Sequence, residues 1–170
     1  RRDLSREELL AVAERCRRWP GGGRGLTVAR FADGLAESPH ESRSRVSIHR
    51  SGFPSPELQI EVWLGRQFLG LVDFLWREFN LVGEADGRVK YTSAADVYAE
   101  KLREEAIADT GLVVVRWSWQ VGANRTGELE RKIRGGMARG ARQTVDPRVR
   151  FVPTTVADSL ARQARYRNAA

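Results

Sequence analysis

Phe68-Leu69-Gly70-Leu71-Val72-Asp73-Phe74-Leu75-Trp76-Arg77-Glu78-Phe79-Asn80-Leu81-Val82-Gly83-Glu84-Ala85-Asp86-Gly87, residues 68–87, is the stretch that decides the fold. Two apolar runs flank the four residues Arg77–Asn80, which reads as a hairpin of two largely buried strands. Each run is broken by one acid, Asp73 in the first and Glu84 in the second. A carboxylate in such a run is costly unless it is paired or protonated. With a four-residue loop, Trp76 opposes Leu81, and the same register carries Asp73 opposite Glu84. Opposed side chains in an antiparallel pair have Cβ atoms ~4.5–5.5 Å apart, where like charges repel. A divalent cation between them would convert that repulsion into binding. Magnesium takes one or two carboxylates, several waters and a phosphate oxygen, and Asp73, Glu84 and the carbonyl of Ala85 can supply such a set. The alternative is that each acid pairs with one of the chain's many arginines.

Outward from the hairpin, Leu58, Ile60 and Val62 alternate with Gln59 and Glu61 as a preceding strand, turned at Leu64-Gly65-Arg66. Downstream, Ala94–Asp109 has helical spacing, with Ser93 as cap and Gly111 just past the end. Leu112–Trp119 is a β-rich fourth strand that would place Trp117 and Trp119 on one face, as core. Upstream, Ser38-Pro39-His40-Glu41 starts a helix running to about Ser51. Glu41 stands where it completes a capping box. Ser5-Arg6-Glu7-Glu8 is a second capping box, opening a helix to about Arg18. Pro20-Gly21-Gly22-Gly23 reads as a loop before a short helix over Thr27–Asp33. After the fourth strand, Thr126 caps a helix that frays at Gly135-Gly136, and Thr155–Arg167 forms a terminal basic helix. The expected fold is α/β, a mixed sheet with flanking helices. Its segments are an N-terminal helical region over 1–35, a core over 36–125 and a basic helical extension over 126–170.

Charge is unevenly distributed. Residues 1–50 carry eleven basic and seven acidic side chains, for +4; residues 51–130 carry eight and thirteen, for −5; residues 131–170 carry ten and two, for +8. An acidic centre between basic flanks suits a metal site between phosphate-binding surfaces. Arg131, Lys132, Arg134, Arg139 and Arg142 are the candidate DNA contacts of the basic end, while Arg116 either touches phosphate or neutralises the buried acids. Lys101 and Arg103 read as a solvated helix face with Glu100, Glu104 and Glu105. The single cysteine, Cys16, excludes an internal disulfide and fits a reducing, cytoplasmic setting. No CxxC or HxxxH pattern supports structural zinc. No run approaches the ~20 apolar residues of a membrane span. The chain opens on Arg1 rather than Met, as a fragment of a longer protein would.

Asp86 lies two positions beyond Glu84 and shares its face; Gly87 permits a turn, and Lys90 follows within reach of the site. An ammonium there can orient a water or stabilise developing negative charge at phosphate. The segments Ser38–Arg45, Gly52–Gln59, Val72-Asp73-Phe74, Glu84–Gly87, Arg103-Glu104 and Gly111–Arg116 follow one another in order. Together, over roughly residues 36–120, they resemble an uncharacterised domain family related to very-short-patch mismatch-repair endonucleases, within the PD-(D/E)XK superfamily. The resemblance implies a restriction-endonuclease-like core in the order α-β-β-β-α-β and a Mg²⁺-dependent deoxyribonuclease, with Mn²⁺ as a possible substitute. It implies Asp73 and Glu84 as metal ligands and Glu41 as a contributing acid from the neighbouring helix. DNA is the implied partner, with a homodimer and an upstream winged-helix segment as further expectations. The superfamily pattern has lysine two residues after the second acid, where this chain has Asp86, and relatives often carry histidine where Lys90 stands. Lys90 either restores the missing charge from a shifted position, or the domain is an inactive DNA-binding or antitoxin-like protein.

Overall fold

The computed structural model describes residues 4–86 and 94–169, and the chain divides into two compact units with the boundary between Gly34 and Leu35. The first unit is a pair of helices, α1 (Arg6–Arg15) and α2 (Gly22–Phe31). Ser5 Oγ accepts the Glu8 N–H at 3.2 Å while the Glu8 carboxylate accepts the Ser5 N–H at 2.9 Å, closing the capping box. α2 starts five residues before the expected Thr27, because Gly21 alone makes the turn, with a left-handed φ of 80°. Gly22 then lies so close under the Cys16 carbonyl that a Cβ would sit 2.0 Å from its oxygen. Arg6 ties the pair together by donating to the carbonyls of Ala32 (2.6 Å) and Arg30 (2.8 Å).

The second unit runs α3 (Pro39–Arg50), β1 (Glu57–Leu64), β2 (Gln67–Trp76), β3 (Leu81–Asp86), α4 (Ala94–Ala108), β4 (Val113–Ser118), α5 (Trp119–Asn124), α6 (Thr126–Gly140), β5 (Val149–Pro153) and α7 (Val156–Ala169). The strands form one five-stranded mixed sheet ordered β4-β3-β2-β1-β5. β1–β2, β2–β3 and β1–β5 are antiparallel, while β3 and β4, joined across α4, are parallel. Trp76 pairs with Leu81 as the loop length dictates, with Arg77–Phe79 forming a single 3₁₀ turn.

Each face of the sheet carries its own core. Ile48, Leu58, Phe74, Trp76, Leu81, Val115, Trp117, Val121, Leu129 and Ile133 pack on the side of α3, α5 and α6. Ile60, Val62, Leu69, Val72, Leu75, Val82, Ile107 and Leu112 pack on the side of α4. Burying each large side chain contributes ~1.5–3 kcal/mol. Leu58 and Ile60, two apart on β1, belong to opposite cores, as do Phe74 and Val72 opposite them on β2. The sheet therefore exchanges layers at Gln59 and Asp73, where a regular strand would return residues i and i+2 to one face.

Four expectations are corrected. β4 ends at Ser118, so Trp119 opens α5 and is 43% exposed while Trp117 is buried; the two do not share a face. Thr126 is the first helical residue of α6 and gives no side-chain cap. α6 does not fray at Gly135-Gly136. Gly136 and Gly140 are buried where the helix closes on β3, and an added Cβ would sit 2.6 Å from Leu81 Cδ1 and 1.9 Å from the Phe79 carbonyl oxygen, respectively. Close packing here outweighs the poor intrinsic helix propensity of glycine. Finally, residues 126–170 are not a purely helical extension, since α6 supplies core residues and Val149–Pro153 is the fifth strand. Gly140→Ala should destabilise the protein by about 2–3 kcal/mol, because the clash is with backbone that cannot rotate away. Urea unfolding with an unchanged midpoint would disprove that packing. Among the described residues no helix is long and apolar enough to cross a membrane.

Candidate active site

The acids meet where β2 and β3 part. Backbone pairing runs Trp76–Leu81, Leu75–Val82, Phe74–Gly83 and then stops, one step before Asp73 and Glu84. There the Asp73 side chain takes over, its Oδ2 accepting the Ala85 N–H at 2.8 Å. Asp73 Oδ1 accepts from Gln59 Nε2 at 3.3 Å, and the same amide donates to Glu41 Oε2 at 3.0 Å. Glu41 thus joins the cluster from α3. Ser38 Oγ caps the Glu41 N–H at 3.1 Å, but the Glu41 carboxylate accepts from the N–H of Glu37, not Ser38, at 2.8 Å. The reciprocal half of the expected box is displaced by one residue, and Glu41 is turned toward Gln59.

Glu84 is held by Arg103 of α4, at 3.3 Å, so one of the two central acids has the arginine partner weighed in the sequence. Arg103 also donates to Glu100 at 2.8 and 2.9 Å and to the Leu71 carbonyl at 3.2 Å. It faces the sheet rather than solvent. Gly70 makes room for it, since a Cβ there would lie 2.8 Å from Arg103 Nη1. Arg116, beside Glu84 on β4, reaches Asp86 (3.1 Å), Glu100 (2.7 Å) and Glu104 (3.4 Å), and so neutralises acids. Lys101 does stay on the exposed face, 3.7 Å from Glu105.

The electrostatics follow from this placement. Removal from water holds the Asp73 carboxyl well above the ordinary carboxylate range, reinforced by Glu84 and Glu41 and opposed by the Ala85 and Gln59 bonds. Burial raises Glu84 to about 7 against the pull of Arg103 and Arg116. Glu41 is likewise raised by burial. Glu100, bonded to Arg103 and then to Arg116, is lowered to about 2 against the opposing cost of its partial burial. Near neutral pH the central pair therefore retains proton affinity that a cation could replace. His40 is 5% exposed, its ring 5.5 Å from that of Trp119, and its buried ring nitrogens approach the Ser118 and Ala85 backbone without reaching good hydrogen-bond geometry. Burial lowers its pKa.

Among the described residues no set of three His, Cys, Asp or Glu side chains is arranged to hold a metal by itself. Asp73, Glu84 and the Ala85 carbonyl are oxygen donors, the kind that magnesium takes alongside water and phosphate. Lys90 lies outside the described residues, as does the expected cap Ser93. Arg131, Lys132, Arg134, Arg139 and Arg142 are exposed on or just after α6. The closing end of α6 packs on Leu81 and Phe79, the opposite end of β3 from Glu84, so Arg139 and Arg142 are not gathered around the acids. The sequence reading missed Gln59 and Glu100 as site residues and turned Arg103 outward. The isolated Gly70 within a strand was the available signal for a close approach.

Two uncharacterised proteins of Mycobacterium tuberculosis, MT2308 of strain CDC 1551 / Oshkosh and Rv2248 of strain ATCC 25618 / H37Rv, are each 33% identical to this chain over 98 residues. The match covers 55% of this chain and 36% of either relative. No protein-family model matches, and no solved structure matches.

Proposed function

We propose that this chain is a restriction-endonuclease-like domain that hydrolyses DNA phosphodiester bonds with Mg²⁺. The observation that carries the reading is the Asp73–Glu84 pair, two carboxyls with raised proton affinity brought together where two strands separate. The order α3-β1-β2-β3-α4-β4 agrees with the core such nucleases use. Asp73, Glu84 and the Ala85 carbonyl would hold the ion, which when bound supplies phosphate polarisation and acidifies water. The chain's own residues set the stage for this. Arg103 fixes Glu84, Glu100 fixes both Arg103 and Arg116, and Arg116 fixes Asp86. Lys90 would stabilise charge at the phosphate, and the cations of α6 would follow the DNA backbone.

Two observations favour a second reading, a non-catalytic DNA-binding regulator or antitoxin-like protein. Arg103 already partners Glu84, and the position two residues on is Asp86, salt-bridged to Arg116. Incubation with supercoiled plasmid and with single-stranded DNA in Mg²⁺ and Mn²⁺ separates them. Metal-dependent nicking, abolished by chelation, is the expected result. Salt-sensitive binding with no cleavage in either metal would establish the second reading instead.

A further inference from the structure

We infer that Gln59 is a positioning residue, whose side-chain amide couples Glu41 to Asp73 and orients the Asp73 carboxylate for cation binding. The cation-binding part rests on the nuclease reading; the coupling of the two acids does not.

Three observations converge on Gln59. It is 2% exposed and lies in the middle of β1 with a φ of 51°, a left-handed conformation that favours glycine and asparagine over glutamine. The conformation is imposed from the edge of the sheet. Thr154 donates to the Gln59 carbonyl both from its hydroxyl, at 2.8 Å, and from its N–H, at 3.3 Å. It also sits at the layer exchange, between Leu58 in one core and Ile60 in the other. If the exchange alone were required, glycine would make it with less strain. Glutamine adds a side-chain amide, and the bonds its NH₂ group makes run to two carboxylates, Glu41 and Asp73.

The chemistry suits a cation site. An amide donor satisfies one direction on Asp73 Oδ1 without adding charge, while the Ala85 N–H does the same for Oδ2. The carboxylate plane is fixed and lone pairs remain for a ligand. A lysine or arginine in the same place would neutralise Asp73 as well, when Glu84 already faces Arg103. Holding a ligand by a neutral hydrogen bond is the usual work of groups behind a metal ligand, and their loss costs ~10–100-fold in metal affinity.

Wild type, Gln59→Gly and Gln59→Asn separate the possibilities. Glycine accepts the backbone and deletes the amide; asparagine also tolerates a left-handed φ but falls one methylene short. The Asp73 carboxyl carbon, assigned by its absence in Asp73→Asn, would be titrated by NMR. Mn²⁺ affinity would be measured by calorimetry, alongside thermal unfolding. We expect both Gln59 variants to fold, the Asp73 midpoint to rise by about one pH unit through loss of a bond to the charged form, and Mn²⁺ affinity to fall at least about tenfold. An Asp73 midpoint unchanged in a folded Gln59 variant would overturn the inference. Should Gln59→Gly fail to fold, the same readouts on Gln59→Asn decide. A shifted midpoint in a protein whose wild type binds no Mn²⁺, with or without DNA, would uphold the coupling of Glu41 and Asp73. It would overturn the orientation for a cation and, separately, the nuclease reading.

Discussion

Replacing Asp73 by asparagine is expected to abolish magnesium-dependent DNA cleavage while leaving the protein at least as stable as wild type. The shapes are nearly identical, and the asparagine carbonyl can still accept the Ala85 N–H that Asp73 accepts at 2.8 Å. What disappears is a charge that the site holds at a cost, between Glu84 and Glu41 and away from water. Folding loses only the Gln59 hydrogen bond to Oδ1, at 3.3 Å, against the relief of that buried charge, whereas a cation loses one of its two carboxylates. A rate loss on the order of a thousandfold, about 4 kcal/mol of barrier, is the expected scale. Plasmid nicking by the variant at wild-type rate would show that the acid pair is not the reaction centre. Lost nicking together with collapsed stability would mean Asp73 holds the strands rather than a reactant.

In metal-free buffer, stability should fall as pH rises from about 4.5 toward 7. Glu84 is the group that fixes this window, its ordinary value of 4.5 being raised to about 7 in the folded protein. A raised carboxyl binds its proton more tightly folded than unfolded, so its stabilisation is complete below pH 4.5 and lost as pH passes the folded value. The displacement corresponds to roughly 3 kcal/mol. Asp73, also raised, acts in the same direction. Glu100, lowered to about 2, acts oppositely, losing stability only as pH falls below its ordinary range, and so does not obscure the window. Excess Mg²⁺ should restore the loss at pH 7, since the ion takes the place of the proton. Urea denaturation across the range, with and without Mg²⁺, checks both halves. Arg103→Ala should deepen the fall, because Arg103 is the strongest influence opposing Glu84's burial. Stability that is flat with pH would mean the acids are better solvated than their packing implies.

The hairpin was legible because its signal is local: two apolar runs and a four-residue turn determine which side chains oppose each other, and Trp76–Leu81 follows. The helices with strong caps, at Ser5 and Ser38, were legible for the same reason. β5 was not. Val149–Pro153 is short, contains Arg150 and Pro153, and becomes a strand only because the edge of β1 is there to pair with. Gln59 was read as the polar face of an alternating strand, since sequence periodicity carries no sign of a reversed φ. Arg103 and Glu100 lie three apart on a helix, a spacing equally suited to an exposed salt bridge. What turns them inward is the slot at Gly70 and the buried charge of Glu84, both distant in sequence.

The clasp of Thr154 on the Gln59 carbonyl joins residues 95 positions apart. Loops of that span close slowly, and contacts that depend on them form after local ones. As the chain leaves the ribosome, the hairpin and its two acids emerge long before Thr154 does. The acids can meet early, but the strand that carries Gln59 acquires its edge partner only once residues 149–153 have been made. Completion of the site is thus tied to completion of the sheet, so that a chain not yet extended through β5 would present opposed carboxylates without the geometry proposed to put them to use.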